Sequence, residues 1–380
     1  MEIIKKLKRV YLSVDNYLSK LHFSVLSIEK LGVSYDVNET IPNSVKQNKL
    51  QIFSEDSQMV ESLLVAQNEI RSQNIAQAKV YKFDGRKFKI VVGGFIIWKN
   101  KVVLKESISH QDIYFWRYKK KLLVIFRLFA RKQRLENVFV ASRHLDFNFW
   151  HSTCEILAEL NLILKHYSSS SKLNVIVSSN YSKLHLEQIK IIFGERIQIV
   201  KLNSSIVAKK IYVTSNNFEF KEVNFSLVVI RNFNFWKGFN DVIPKLNTIK
   251  RPFTIISRRK TSNRRILNEE ELYKALIQIG PCEIICLEDY SWLDQLRIIN
   301  QTEVLIAAHG ALSANLLFAK PLCYFEIVDL KRTRGIYPIQ DVISICAFSS
   351  INHIIYDCIS IQPTEDFYID VDKILLRMLD

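Results

Sequence analysis

A chain of 380 residues with 48% hydrophobic and 11% aromatic side chains has apolar surface enough for a buried core and exceeds the usual single-domain length. Disorder is excluded as the main state, and two domains are expected. Lys and Arg number 53 against 38 Asp and Glu, a formal charge of +15, and such a surplus draws something anionic: nucleic acid, membrane lipid or a phosphorylated small molecule.

The opening residues, MEIIKKLKRVYLSVDNYL, carry charge early and no long apolar run before a small-residue cleavage site, so no secretory signal is expected. No window reaches the roughly 18 uninterrupted apolar residues of a membrane-crossing helix. Residues 1 to about 75 read as mostly helical, with a polar loop around Asn38–Lys49. Over residues 78–107, β-branched runs are punctuated by Asp84-Gly85, Gly93-Gly94 and Lys99-Asn100, which reads as consecutive hairpins. Residues 114–134 are basic and aromatic without an acid. They read as a nucleic-acid surface, as an interfacial segment docking on an anionic bilayer, or as an ordinary element with a basic outer face.

NVFVAS is then a strand, and a long helix runs from about Phe147 to His166. NVIVSS and IQIVKL read as strands around a helix that Gly194 ends, and Pro244 and Pro252 mark a boundary near 240–252. Beyond it, PFTIIS, EIICL, EVLIAA, LCYFEIV and HIIYD alternate with helices opened at Asn268 (with Glu271 in a capping-box-like pair), at Ser291 and after His309-Gly310. Short-spaced alternation of strand and helix predicts a parallel α/β domain of Rossmann type. Six cysteines lie scattered without a C-x-x-C pair, as expected of reduced thiols in a cytosolic protein.

Dinucleotide-binding, Walker, H-E-x-x-H and G-x-S-x-G signatures are missing. Asp370-Val371-Asp372 reads as a helix cap rather than a metal-holding pair, and no metal is assigned. Three segments carry chemistry. In VLIAAHGALSANLLF, an apolar strand runs into His309, Gly310 and Ala311 before a helix, an arrangement that offers N–H groups to a diphosphate; His309 is either a ligand donor or a buried turn residue. Arg258, Arg259, Lys260, Arg264 and Arg265 leave a strand end without an acid before Glu269, as phosphate grips or as a solvated loop. His151 and Glu155 stand four apart on one helical face, as a general base with its partner or as a solvated face.

Together these segments resemble glycosyltransferase family 61. The resemblance is carried by Asn148-Phe149-Trp150-His151 with Glu155, by Ser257 through Arg265 with Asn268, Glu269 and Leu272, by Gln295, by His309-Gly310-Ala311 with Asn315 and Phe318, and by Glu326. It spans roughly residues 78–330 and implies a GT-B-like α/β fold, two Rossmann-type domains facing a cleft with an added hairpin or meander region in the N-terminal half. Residues 1–243 would be the acceptor-side domain, Rossmann-like from about 137, and 244–380 the nucleotide-sugar domain, with the last helix packing back on the first. The implied activity is inverting, metal-independent transfer from a nucleotide sugar, UDP-linked, to a glycan or lipid-linked acceptor in bacterial surface polysaccharide synthesis. The donor would be held by Arg258, Arg265, Asn268, Glu271, His309, Gly310, Ala311 and Asn315. Glu155, with His151 and Asp146 as alternatives, would take the acceptor's proton. No cofactor is implied, and the expected place is the cytoplasm, with peripheral membrane contact through residues 114–134. The rival reading is a non-enzymatic basic protein that binds nucleic acid or an anionic polymer.

Overall fold

A computed structural model describes residues 24–26, 37–42, 48–72, 75–91, 95–98, 102–104, 132–142, 148–179, 181–214, 250–332 and 337–379. Residues 114–131, Asp146, Pro244 and residues 92–94 and 99–101, read above as hairpin turns, lie outside them. In chain order the strands begin with β1 (Ser24–Leu26), β2 (Val37–Pro42), β3 (Leu50–Phe53), β4 (Ile75–Asp84), β5 (Phe88–Val91), β6 (Phe95–Trp98) and β7 (Val102–Leu104). They continue with β8 (Lys132–Val140), β9 (Leu173–Val177), β10 (Ile197–Lys201), β11 (Ser205–Thr214), β12 (Arg251–Ile256) and β13 (Cys282–Ile285). The last are β14 (Thr302–Ala308), β15 (Cys323–Val328), β16 (Asn352–Asp357), β17 (Ser360–Ile361) and β18 (Asp366–Phe367). Helix α1 is Ser57–Ser72, and α2 runs through Phe149–His151, Ser152–Ile156 and Leu157–Lys165. Five follow: α3 (Lys183–Phe193), α4 (Glu269–Leu276), α5 (Trp292–Asn300), α6 (Tyr337–Ser349) and α7 (Val371–Leu379). Among the described residues no helix is long and apolar enough to cross a membrane.

The chain divides into two compact units. In the first, β8, β9 and β10 pair in parallel, with α3 and, apart from Thr153–Glu155, which cluster with the second unit, α2 as the intervening helices. Strand β11 joins β8 in parallel and then turns the sheet mixed, because β4 and β5 pair with its other edge antiparallel. The meander β5–β6–β7 extends from there, as the Gly93-Gly94 and Lys99-Asn100 punctuation predicts. Asp84-Gly85 is a correction: β4 and β5 pair with β11 and not with each other, so the dipeptide turns a corner along one edge. Glycine is required there by closeness, since a Cβ on Gly85 would lie 2.7 Å from the Ala208 carbonyl oxygen and from Ile211. Tyr81, Ile90, Val138, Ile206 and Ile211 form the core of this sheet.

The second unit is a six-stranded sheet in the order β13-β12-β14-β15-β16-β3, with every pairing parallel. Sequence alternation predicts five of these strands. The sixth, β3, comes from a segment expected to be mostly helical and assigned to the first domain; it pairs with β16 and closes that open edge. Helix α1 follows it, and Leu63 packs with Val328, Ile339 and Ile355. Pro252, read as part of a boundary, is instead the second residue of β12, where a strand tolerates the missing N–H. The last helix, α7, packs on α4, and its Ile374 is fully buried in this unit's own core.

From β12 the chain steps to β13 on one side, then crosses back to β14 on the other. This is the 2-1-3-4-5 order of a doubly wound sheet, whose ligand crevice opens at the carboxyl ends of the first and third strands. Here those ends are Ile256 and Ala308.

Candidate functional site at the switch point of the second sheet

Ser257 and Arg258 leave β12 at that crevice, and His309 and Gly310 leave β14 beside them, because Ile256 pairs with Ala307. The Ser257 hydroxyl donates to Glu269 (2.8 Å), which ties the loop to α4. Arg258 donates through Nε to the Asn263 carbonyl oxygen (3.2 Å) and makes no ion pair among the described residues. Its Nη1 lies only 2.6 Å from where a Cβ on Gly310 would sit. Gly310 is extended, φ 172°, so its small size serves this close approach and not an unusual backbone angle. Burial, and after it the charge of Arg264, lowers the Arg258 pKa, the mark of a guanidinium that lacks a compensating anion.

His309 donates its backbone N–H to the Ile327 carbonyl (2.8 Å), prolonging the β14–β15 ladder by one step. Its Nδ1 meets Glu326 Oε1 at 2.7 Å, and Glu326 Oε2 meets His353 Nε2 at 2.8 Å. Glu326 and His353 are fully buried, whereas the His309 side chain is 12% exposed. Burial opposes the charge on Glu326, but the hydrogen bonds from His309 and His353 outweigh it and hold its pKa at about 2. The resemblance includes Glu326, but sequence reasoning assigned it no role and missed His353, which comes from the next strand.

Of the other predicted donor ligands, Ala311 adjoins the crevice, and Arg265, Asn268, Glu271 and Asn315 are engaged by other partners. Arg265 forms a two-pronged pair with Asp366, Nη2 to Oδ2 at 2.6 Å, and its backbone N–H donates to the same carboxylate. Arg264 pairs with Glu365, Lys260 with Asp289, and Arg259 Nε donates to the Cys286 thiol. Asn268 does not cap α4 through its side chain; it exchanges hydrogen bonds with the backbone of Ile369 (2.9 and 3.0 Å) and donates to Glu271. Arg265, Asn268 and Glu271 thus belong to the joint that holds residues 365–369, a role no local pattern reveals because the partners of Arg265 and Asn268 stand 101 residues on and Tyr368, which donates to Glu271, stands 97 on. Asn315 is buried, accepting from Trp292 Nε1 (3.1 Å) and donating to Gln295. After Gly310 comes a seven-residue 3-10 turn, Ala311–Leu317, not the expected α-helix, and the Ser313 N–H already bonds the Gly310 carbonyl. Ala311 is therefore placed beside the crevice without a helix end behind it. Asp370 accepts from the Lys373 N–H (3.1 Å), the capping role expected of it.

His151 and Glu155 lie on α2, opened by the Asn148 side chain accepting from the Trp150 N–H (2.9 Å). Ser152–Ile156 is a π segment, marked by the Leu157 N–H reaching back to the Ser152 carbonyl. Such bulges often mark functional stretches of helices. Both side chains are half-buried and each has an interaction partner.

Residues 149–325 match the family model described as Glycosyltransferase 61. The family 61 segment opens on α2 and ends in β15, just before Glu326. The EGF domain-specific O-linked N-acetylglucosamine transferases of rat (Rattus norvegicus) and mouse (Mus musculus) are 37% and 36% identical to the chain over 93 residues. The dog protein (Canis lupus familiaris) of the same name is 35% identical over the same length. Each match takes in 21% of this chain and 18% of the relative, so the chain matches under a fifth of the length of these curated relatives. The family 61 match and the names of these relatives support a glycosyltransferase.

Proposed function

We propose that the protein is an inverting glycosyltransferase that takes its sugar from a UDP-linked donor whose diphosphate lies against Arg258, His309 and Gly310. The observation that carries this is Arg258, a half-buried guanidinium without a carboxylate partner among the described residues, set over a glycine at the switch point. A buried charge of this kind is costly until an anion meets it. Arg258 and a protonated His309 would stabilise the diphosphate as it leaves, the part a metal ion plays in other transferases. Glu155, or else His151 or Asp146, would take the proton of an acceptor hydroxyl as that hydroxyl attacks the anomeric carbon and inverts it. The two units would then act as the halves of a GT-B enzyme, donor on the second and acceptor on the first. We extend the reading to a glycan or lipid-linked acceptor in bacterial surface polysaccharide synthesis at the cytoplasmic face of the membrane. A nucleic-acid role finds less support, because the bases around Arg258 are already engaged by Asp289, Glu365, Asp366 and Cys286.

A thermal-shift and calorimetric screen of nucleotides and nucleotide sugars tests the donor site. UDP or a UDP-sugar at about 100 times its Kd raises stability by about 2.7 kcal/mol. Arg258→Ala removes most of that shift without lowering the ligand-free melting temperature. Stabilisation of both proteins alike, or of neither, overturns the assignment.

A further inference from the structure

We propose that Glu326 and His353 are positioning residues that hold His309 with its proton on Nδ1, so that a donor diphosphate binds together with one proton taken up at His309 Nε2. The inference rests on the donor-site reading above and adds to it the proton linkage of that site.

An ionised Glu326 facing two imidazole rings leaves one arrangement of hydrogens. Glu326 is ionised and a carboxylate only accepts, so each ring nitrogen facing it, His309 Nδ1 at 2.7 Å and His353 Nε2 at 2.8 Å, carries a hydrogen. His353 Nδ1 is sealed in the core with no hydrogen-bond partner, so that ring has no route to exchange a proton with ligand or solvent. His353 therefore serves to saturate the second oxygen of Glu326 and keep the first aimed at His309. The ring of Tyr324 stacks on His353 at 5.5 Å and fixes its plane.

With Nδ1 committed, His309 has only Nε2 left for a ligand, and in the neutral ring that atom is an acceptor. It cannot donate to a phosphate oxygen until it gains a proton, and an adjoining anion supplies the reason to gain one. The buried carboxylate behind the ring then balances the imidazolium, as the triad aspartate does for its histidine. Arg258, across Gly310, is the fixed cation on this face, with Glu288 and Asp366 adding weak opposite charge there. Tyr324 on β15 and Cys346 on α6 are the other titratable groups around Glu326, and burial pushes both well up, out of the working range. His309, whose Nε2 is uncommitted, is the group proposed to change charge when the ligand arrives.

The experiment titrates UDP into the full chain by calorimetry at about pH 8, where the free nucleotide is fully ionised, in buffers of different ionisation enthalpy. Proton uptake approaching about one per nucleotide is expected, falling to near zero in His309→Gln. Glu326→Gln removes the balancing charge, so its uptake falls and its UDP affinity drops about tenfold or more at pH 8 and recovers on acidification. Binding by the unaltered protein with no proton uptake overturns the proposal. If no nucleotide binds at all, the donor reading fails, and nitrogen NMR of the ligand-free, histidine-labelled chain decides the rest. A His309 ring bearing its proton on Nε2 and not on Nδ1 overturns the positioning role, whereas the Nδ1 form sustains it. A structural role for Glu326 alone would move neither the proton count nor the tautomer.

Discussion

Gly310 and Glu155 can be tested one atom group at a time. A methyl group on Gly310 would meet Nη1 of Arg258 at 2.6 Å, and the guanidinium, being the free end of a long side chain, would swing away. Gly310→Ala therefore weakens UDP binding about 10-fold to 100-fold, roughly 1.4–2.7 kcal/mol, while the midpoint of denaturant unfolding stays within about 0.5 kcal/mol of the parent. An unfolding midpoint that falls as far as the affinity would mean the glycine serves the fold and not the site. Glu155 sits on the π segment of α2, and Glu155→Gln keeps its size and loses its basicity. Turnover drops by about 100-fold to 10,000-fold with donor affinity retained, in buffer treated with a chelator as without it. Turnover equal to the parent's moves the base to His151 or Asp146, and turnover lost on chelation alone sends the search back to a metal. At this scale the sequence shows its limits. Arg258 and Arg265 look alike in the chain, and only the pairing of Arg265 with Asp366 tells it from Arg258, which has no carboxylate partner among the described residues.

Among elements, the strands of the second sheet were legible because parallel strands buried on both faces read as unbroken apolar runs, as in VLIAA before His309. The short strands β2 and β3 were not. VNETIP of β2 has no hydrophobic alternation, and LQIF of β3 is apolar but only four residues long, too short to be told from a turn of helix without the edge of β16 it covers. The 3-10 turn after Gly310 was mistaken for a helix because its apolar spacing suits both. The corner at Gly85 gives this scale its measurement. Gly85→Ala sets a methyl group 2.7 Å from a backbone oxygen of β11, which a side-chain rotation cannot relieve. The sheet must shift there, and a loss of about 1–3 kcal/mol is expected from equilibrium unfolding in urea. Because the crevice proposed for the donor belongs to the other unit, UDP affinity of the folded Gly85→Ala protein is expected to stay at the parent's value. A variant as stable as the parent would show that β4 and β5 do not share one edge of β11.

For the whole molecule, the +15 charge is less a free surface than it looks around residues 258–265, where the counter-charges come from Asp289, Glu365 and Asp366. Of the buried carboxylates, Asp366 and Glu326 set how the protein meets acid. The hydrogen bonds of Arg265 outweigh desolvation and hold the Asp366 pKa at about 2, and the two histidines hold Glu326 at about 2. In the unfolded chain such groups titrate near about 3.9 and 4.3. Both folded values lie below the unfolded ones, so the stabilisation is fully present above about pH 5 and is lost as the pH falls through about 4 to about 2, where the unfolded chain binds more protons. Asp84, Glu195 and Asp294 are also shifted down by their Arg, Lys or Ser partners, but their exposed pairs are screened by water and salt and contribute little. Urea unfolding followed from pH 6 to pH 2 therefore shows its steepest loss of stability between about pH 4 and about pH 2, a loss that survives added salt. Asp366→Asn is less stable than the parent at pH 6, and the two curves converge toward pH 2. Parallel curves across that range would mean that Arg265 and Asp366 do not hold the two ends of the second unit together.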